Sequence, residues 1–390
     1  MVLGQKKVIG IFTGTRADYN LLYWIMEKVT KDPDLRQVLF VTGTHLANEY
    51  GATIAQIRED GFAIDAEIRC ISASNSSVGV AESFGTVVKE MASQLDRLKP
   101  DYLVLLGDRY EALAAASAAL LTKTPIAHLH GGELTEGAID DQMRHAITKL
   151  STWHFVAAEE YRNRVIQLGE DPSRVWTVGA LGIESILATP TLDRREFESR
   201  TGFSFQKNNI LLTIHPETVR DRSGEVLIDI LANSLKLFSD LGVLITAANS
   251  DEGGQIINEK LQIFVAKNSN AKFIPNLGRL LYVNALRFMD AVVGNSSSGI
   301  LEAPSVPVPT INIGDRQHGR LRSPSVIDCS WSSDEIVAAL LQCLDSSWRK
   351  TLSARDAVFG DGTASSEIVR ILKSLPTKVD SRKPFFDLKG

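Results

Sequence analysis

Short apolar runs alternate with amphipathic segments along both halves of the chain, and this alternation limits the possible folds more than any other feature. A run such as residues 102–106 (YLVLL) is almost continuously apolar, which is typical of strands buried on both faces of a parallel sheet. Because strands that alternate with helices form doubly wound parallel sheets, the sequence predicts an α/β fold. The predicted strands are residues 8–13, 38–42, 63–69, 102–106, 125–129, 154–157 and 175–178 in the first half, and 209–214, 243–247, 272–275, 291–293 and 309–313 in the second.

A break in this pattern divides the chain. Between residues 179 and 209, prolines, threonines and a charged run interrupt the alternation, and we place the connection between two domains there. The prediction is a Rossmann-like domain over residues 1–180, a second over 181–365, and a helix and tail over 366–390 that could pack on the first. Two such domains facing across a cleft would line it with the carboxyl ends of their strands, where α/β proteins bind ligands.

Composition narrows the classes of partner. The chain has 390 residues and a net charge of −5, which does not suggest binding to nucleic acid or to an anionic membrane. The cysteines Cys70, Cys329 and Cys343 match no metal or redox spacing, so we expect reduced thiols and no metal site. With no signal-peptide pattern and no apolar run of about 18 residues, the expected location is the cytoplasm. The first turn, residues 14–16, lacks a dinucleotide-binding glycine pattern, so no cofactor is expected.

Polar side chains collect where the predicted strands end. Strand interiors are almost free of such groups, so we expect these residues to line the functional site. The acid-base and ligand-binding candidates at the strand ends are Arg16, His45, Asp108, Arg109, His130, Glu133, His215, Asn249, Asp251, Ser297 and Arg316.

The turn after the predicted strand 291–293 is a candidate phosphate site. Gly294 leads through Asn295 and three serines, Ser296, Ser297 and Ser298, into a helix predicted to start near residue 299. A strand, a small polar turn and a helix together present backbone N–H groups and hydroxyls to an anion. Glu302 would fall in the first helical turn, where it could accept hydrogen bonds from ribose. The alternative is an ordinary serine-rich helix cap followed by an acid that matches the helix dipole.

Four acidic residues could transfer protons. Asp108 follows a buried strand and suits acid-base chemistry, although it could simply form an ion pair or cap the next helix. Asp140 and Asp141 precede a predicted helix and could also be caps. Glu133 stands beside two glycines that would leave the backbone open to a ligand.

Two histidines complete the candidate catalytic set. His130 stands on the other side of the two glycines from Glu133, which makes a titratable pair. His215 follows a strand and precedes a proline, so it has no helix to cap, and we expect it to face a ligand.

Several short motifs occur in one order and together resemble a known family. They are TGTRADY (residues 13–19), GDR (107–109), GGE (131–133), IDD (139–141) with RH (144–145), HP (215–216), GNSSSG (294–299) and GDRQ (314–317). This set, spanning about residues 7–325, resembles the hydrolysing UDP-N-acetylglucosamine 2-epimerases of sialic and legionaminic acid synthesis. The resemblance implies a GT-B-like fold of two domains, assembly as a homodimer or homotetramer, and conversion of UDP-N-acetylglucosamine and water into N-acetylmannosamine and UDP.

The resemblance also implies a mechanism and residue roles. The C2 proton is removed as UDP leaves by anti elimination, and water then adds to the resulting 2-acetamidoglucal. The implied roles are carboxylates from Asp108 and from Asp140 or Asp141, His215 near the diphosphate, Arg16 and Arg109 on phosphate or sugar, Ser296 and Ser297 around phosphate, Glu302 on ribose, and Arg316 at the leaving group.

One position departs from the pattern. Many relatives carry a catalytic glutamate where this chain has His130, so either His130 or Glu133 would take over its proton transfer. Some bacterial branches that act on diacetamido-trideoxy sugars share the histidine, which leaves the sugar and the nucleotide, UDP or GDP, open. The alternatives are an epimerase for such a sugar or for GDP-N-acetylglucosamine, a non-hydrolysing epimerase, a glycosyltransferase of the same fold, and an inactive nucleotide-sugar sensor.

Overall fold

The computed structural model describes residues 6–47, 53–71, 76–135, 139–216, 224–248, 253–306, 308–352, 358–377 and 383–388. The chain forms two compact units. Unit 1 comprises Met1–Glu133, Asp140–Glu184 and Gly360–Gly390, and unit 2 comprises Leu134–Ile139 and Ser185–Phe359.

Unit 1 is built on a parallel sheet of seven strands in the order β3-β2-β1-β4-β5-β6-β7. The order reverses between β1 and β4, and this is the point where open α/β sheets leave a crevice for ligands. The strands are β1 Lys7–Thr13, β2 Leu35–Thr42, β3 Ala66–Ile68, β4 Tyr102–Leu106, β5 Ile126–Leu129, β6 Trp153–Val156 and β7 Val175–Thr177.

Helices cover both faces of this sheet. On one face, α1 and α15 pack together, with Leu22 and Ile368 fully buried among the side chains of β1 and β2. On the other face lie α3 and α4, and α4 contributes a run of buried alanines. The helices of unit 1 are α1 Arg16–Lys31, α2 Ile54–Glu59, α3 Ser77–Leu98, α4 Tyr110–Leu121, α5 Asp140–Leu150, α6 Glu159–Gln167 and α15 Ala364–Ser374.

Unit 2 repeats the plan with a parallel sheet of six strands in the order β10-β9-β8-β11-β12-β13. The switch point here lies between β8 and β11. The strands are β8 Asn208–Thr213, β9 Leu241–Thr246, β10 Ala271–Phe273, β11 Ala291–Gly294, β12 Thr310–Ile313 and β13 Val326–Cys329. The helices are α8 Arg194–Thr201, α9 Gly224–Leu235, α10 Gly254–Ala266, α11 Gly278–Phe288, α12 Ser297–Leu301, α13 Ser333–Leu344 and α14 Ser346–Arg349. Helix α7, Leu181–Ala188, crosses the boundary between the two units.

The two doubly wound parallel sheets confirm the predicted fold class, but two elements were not predicted. The charged run within the proposed linker is helix α8, capped by the Asp193 carboxylate on the Glu196 N–H and supported by the Glu196–Arg200 ion pair. The strand at residues 309–313 is the last one predicted, but a further strand, β13, pairs with β12 at the edge of the second sheet. Helix α8 is largely polar, and β13 is an edge strand of four partly exposed or exposed residues, so neither forms a long apolar pattern. Within the described residues, no helix combines the length and apolar character that a membrane span requires.

Candidate active site

A buried arginine organises the acids of unit 1. Arg144, on α5, has 2% of its surface exposed. Its guanidinium pairs with the carboxylate of Asp108, which follows β4, and donates to the backbone carbonyl of Glu133 at 2.9 Å. One side chain therefore connects the end of β4, the loop after β5 and the first half of α5.

The first turn of α5 carries the two other acids. Asp140 and Asp141 are both partly exposed. Asp141 lies 3.9 Å from the Arg144 guanidinium and 3.5 Å from Nε2 of His145. Burial lowers the pKa of His145, and Asp141 acts in the opposite direction. The structure thus brings the carboxylates of Asp108 and Asp141 and the backbone carbonyl of Glu133 around Arg144.

His130 is held in one orientation by both of its ring nitrogens. Its backbone has φ +61°, the left-handed region that few residues other than glycine adopt. The Leu181 N–H donates to Nε2 at 3.3 Å, so Nε2 carries no proton. Nδ1 therefore carries the proton and donates it to Oε1 of Glu133 at 2.6 Å. Both ring nitrogens of His130 are therefore engaged in hydrogen bonds within the protein.

A second buried histidine fixes the turn that carries Asp108. Nε2 of His128 lies 2.8 Å from the Gly107 carbonyl, and Nδ1 lies 3.1 Å from Oγ1 of Thr148 on α5. Burial lowers the pKa of His128 to about 3, so this imidazole stays neutral and joins β4 to α5.

The turns after β1 and β4 carry the two predicted arginines of unit 1. Arg16 begins α1, and Arg109 precedes α4, where its Nε donates to Glu111 at 3.2 Å. Burial lowers the pKa of Arg16 below its ordinary value. Thr15 and Asp18 form a reciprocal capping box at the start of α1.

Asp18 should make the stability of the protein depend on pH. Burial raises its pKa to about 6, although Arg109 acts to lower it, and the ordinary value is 3.8. The folded protein therefore binds a proton more tightly than the unfolded chain, so this contribution to stability is full below pH 3.8 and is lost as the pH rises through 6. In Asp18→Asn, which keeps the capping oxygen, the free energy of unfolding relative to wild type should rise by on the order of 3 kcal/mol from pH 4 to pH 7. Urea titrations at each pH measure this difference, and parallel pH curves for the two proteins would contradict it.

In unit 2, Asn295 joins the two strand ends at the switch point. It is fully buried, and its amide accepts from the His215 N–H at 2.7 Å and donates to the His215 carbonyl at 2.9 Å. Gly294 makes this approach possible, because it has φ +136° and a Cβ there would lie 1.9 Å from the carbonyl oxygen of Thr213. The His215 imidazole is partly exposed beside this bridge.

The serine turn differs in register from the prediction. Helix α12 starts at Ser297 rather than near residue 299 and ends at Leu301, so Glu302 caps its C-terminus instead of lying in its first turn. The turn residues are small enough to continue directly into helix after Ser296. The Ser298 hydroxyl lies against Tyr282 and donates to the Glu302 carboxylate at 2.6 Å. Ser296 and Ser297 remain partly exposed at the start of the helix.

The loop after β12 meets the serine turn. Arg316 and Gln317 both donate to the Asn295 carbonyl, at 3.3 Å and 2.9 Å. Arg316 is partly exposed, whereas Gln317 is buried. The guanidinium of Arg316 therefore lies at the same edge of the sheet as the serines.

In unit 1 the structure connects Asp108, Asp141 and the Glu133 backbone through Arg144, and in unit 2 it brings Arg316 beside the serine turn. Asn249 and Asp251 lie outside the described residues. Sequence reasoning missed Glu111, Tyr282 and the bridging role of His128; Glu111 follows the GDR motif by two residues, which is the one hint the sequence offers. In the part of the chain that the structure describes, no three His, Cys, Asp or Glu side chains are placed to hold a metal ion.

Two doubly wound parallel sheets, each with charged groups beyond the carboxyl ends of its strands, define a two-domain α/β protein of the GT-B-like fold. The structure of a UDP-GlcNAc 2-epimerase from Neisseria meningitidis bound to UDP-GlcNAc has this fold, with a TM-score of 0.80, 18% identity, and coverage of 95% of this chain and 100% of that one. The family model for UDP-N-acetylglucosamine 2-epimerase matches residues 27–373. The chain belongs to this family.

Two relatives are similar over most of the sequence. GDP/UDP-N,N'-diacetylbacillosamine 2-epimerase (hydrolyzing) from Campylobacter jejuni is 39% identical over 325 residues, which are 83% of this chain and 84% of that protein. UDP-N,N'-diacetylbacillosamine 2-epimerase (hydrolyzing) from Legionella pneumophila is 35% identical over 371 residues, which are 95% of this chain and 96% of that protein. Both carry the hydrolysing activity in their names.

Proposed function

We propose that this protein is a hydrolysing 2-epimerase of a nucleoside-diphosphate 2-acetamido sugar. The reaction converts UDP-N-acetylglucosamine and water into N-acetylmannosamine and UDP. The observation that carries the proposal is the pairing of the Asp108 and Asp141 carboxylates with the buried guanidinium of Arg144, which also binds the backbone carbonyl of Glu133. Elimination and hydration at C1 and C2 need more than one acid-base group beside the sugar ring. Asp108, Glu133 and Asp141 are candidates for these groups.

In the first step, the Asp108 carboxylate accepts the C2 proton. The C2–H electron pair forms the C1–C2 double bond, and the C1–O electron pair leaves with the nucleoside diphosphate. The guanidinium of Arg144 pairs with the Asp108 carboxylate and holds it in position at the end of β4. The product of this step is a 2-acetamidoglucal.

In the second step, an acid protonates C2 from the opposite face, and water adds at C1 while a carboxylate accepts its proton. Glu133 is our candidate for the acid, with Asp140 or Asp141 as the second carboxylate. His130 then acts as a positioning residue, because its Nδ1–H orients the Glu133 carboxylate and its Nε2 is occupied by the Leu181 N–H.

This role for His130 leads to a pH prediction. In His130→Glu, the donor to Glu133 is replaced by a second carboxylate, and two carboxylates this close do not both ionise readily. We expect kcat to fall about tenfold and its half-maximal pH to move upward. A matched His130→Gln variant keeps an N–H donor and should keep the wild-type pH profile. Equal profiles for wild type and His130→Glu would exclude the positioning role, and a higher rate on N-acetylglucosamine nucleotides would show that position 130 selects the substrate.

The nucleotide is proposed to bind to unit 2. Arg316 and the hydroxyls of Ser296 and Ser297 would hold the diphosphate, with His215 beside it. Ser298 would act mainly by orienting Glu302 toward ribose, as its hydrogen bond to that carboxylate suggests. Arg16 and Arg109 of unit 1 would contact the sugar or phosphate, and Asn249 and Asp251 stay candidate contacts.

Two substrates fit this chemistry. UDP-N-acetylglucosamine is the first candidate, and a UDP- or GDP-linked N,N'-diacetylbacillosamine is the second. The second is favoured by the two relatives described above, both of which carry that sugar in their names. Both sugars bear a 2-acetamido group and a C2 proton, so the same residues would act on either.

The test is to incubate the purified protein with each UDP- and GDP-linked sugar in D2O and to follow the products by NMR. We expect free nucleoside diphosphate and a free 2-epimerised sugar with deuterium at C2. An epimer that keeps its nucleotide would instead identify a non-hydrolysing epimerase. No change in any substrate would refute the proposal.

A further inference from the structure

The C-terminal residues 383–388, which we call the strap, lie against the end of helix α5. The Nζ of Lys383 donates to the carbonyls of Lys149 and Ser151, both at 2.7 Å. The last carbonyls of a helix have no partner within it, and a cation there also interacts favourably with the helix dipole. Lys383 therefore caps α5 from a distant part of the chain.

The same ammonium group pairs with a buried carboxylate. The Glu170 side chain is 2% exposed, and its Oε2 lies 2.7 Å from Nζ of Lys383 and 3.0 Å from Nε2 of His154. Lys149, near the end of α5, lies 2.6 Å from the other oxygen. Burial acts to raise the pKa of Glu170, but hydrogen bonds from these three side chains lower it to about 2. Glu170 is therefore ionised although it is buried, and the ammonium groups of Lys149 and Lys383 balance its charge.

The strap is also packed in place beyond Lys383. The Phe386 N–H donates to the Gly169 carbonyl at 3.0 Å. The ring of Phe385 lies over Gly169, where a Cβ would come within 2.3 Å of ring atoms, and Nζ of Lys149 lies 4.9 Å from the ring centroid. Gly169 has φ +85°, so a side chain is disfavoured there by its backbone as well as by the ring.

The opposite half of α5 carries the acid-base set. Arg144 pairs with Asp108 and holds the Glu133 carbonyl, and Asp140 and Asp141 form the first turn. The helix has 11 residues, so it is about 16 Å long. Arg144 lies six residues, or about 9 Å, before Leu150 at the end of the helix, so a shift of the last turn also moves the Arg144 guanidinium.

We propose that Lys383 is a positioning residue that fixes α5 and, through it, the Arg144–Asp108 pair. The inference rests on the proposed function for its catalytic consequence. The strap lies beyond residues 27–373, the part that matches the family model. Without the ammonium, the α5 carbonyls and Glu170 lose their shared partner, and the acids lose the alignment on which the rate depends.

Lys383→Met removes the charge and keeps most of the side chain. We expect kcat to fall about tenfold while KM changes less than about twofold, because the change acts on alignment rather than on nucleotide contacts. Lys383→Arg, which keeps the charge and the donors, should recover most of the rate. The matched control is Lys373→Met on α15, which removes an exposed lysine that pairs with Asp32 and Asp34. It should leave kcat unchanged.

Hydrogen exchange provides a measurement that does not depend on activity. In Lys383→Met, the amides in the last turn of α5 should exchange about tenfold faster, and those of α15 should not change. Phe385→Ala, which removes only an exposed ring, should produce a smaller change in the same amides. Unchanged exchange in α5 would overturn the proposal whatever activity the wild-type protein proves to have. If the proposed function holds, a kcat equal to that of Lys373→Met would also overturn it. If Lys383→Met fails to fold, unchanged α5 exchange and kcat in folded Phe385→Ala would overturn it instead.

Discussion

Replacing Asp108 by asparagine should lower kcat by about a hundredfold or more while leaving the affinity for UDP nearly unchanged. The asparagine side chain would keep the shape of the aspartate and could still accept a hydrogen bond from Arg144, but it could not accept the C2 proton. Because the nucleotide contacts are proposed to come mainly from unit 2, binding should be retained. Steady-state kinetics and UDP titration by calorimetry measure the two effects separately.

Two further measurements make this prediction specific. Asp96→Asn changes an exposed aspartate on α3 and should leave both kcat and UDP affinity unchanged. In Asp108→Asn, exchange of the C2 proton with solvent should slow at least as much as turnover, because proton removal is the step that Asp108 performs. Turnover equal to that of Asp96→Asn would remove Asp108 from the mechanism.

The strands were predictable because their residues obey a strong physical constraint. A strand buried on both faces of a parallel sheet must be apolar throughout, as the five residues of β4 are. Edge strand β13 is only four residues long and partly exposed, and surface helix α8 is largely polar, so neither is under this constraint. The start of helix α12 was predicted only to within about two residues, because small polar residues are compatible with several positions of a helix start.

The positions of the candidate site residues were predictable, but their pairing was not. Asp108, Glu133 and Arg316 were selected because they are polar residues that follow buried strands, where α/β proteins bind ligands. Which group meets which is a matter of tertiary structure. The sequence could not show that Arg144 would be shared by Asp108 and the Glu133 backbone, or that both nitrogens of His130 would be used within the protein.

The second large effect is expected at Arg316. Arg316→Ala should weaken UDP binding by about a hundredfold, because a guanidinium that binds a diphosphate makes two charge-assisted hydrogen bonds, and both would be lost. In the structure the guanidinium stands beside the serine turn, where Nη1 donates to the Asn295 carbonyl at 3.3 Å. Gln317 donates to the same carbonyl, so the loop should keep its conformation without Arg316. Calorimetric titration with UDP measures the loss.

Matched variants separate charge from geometry at this position. Arg316→Lys keeps the charge but not the planar pair of donors, so its affinity should fall between those of wild type and Arg316→Ala. Arg195→Ala removes an exposed arginine of α8 and controls for the loss of one positive charge from unit 2. Because the interaction is electrostatic, the difference between Arg316→Ala and wild type should shrink at high salt, where screening weakens the wild-type contact. Equal UDP affinities for Arg316→Ala and Arg195→Ala would mean that the diphosphate binds elsewhere, and the proposed arrangement of nucleotide in unit 2 would then be wrong.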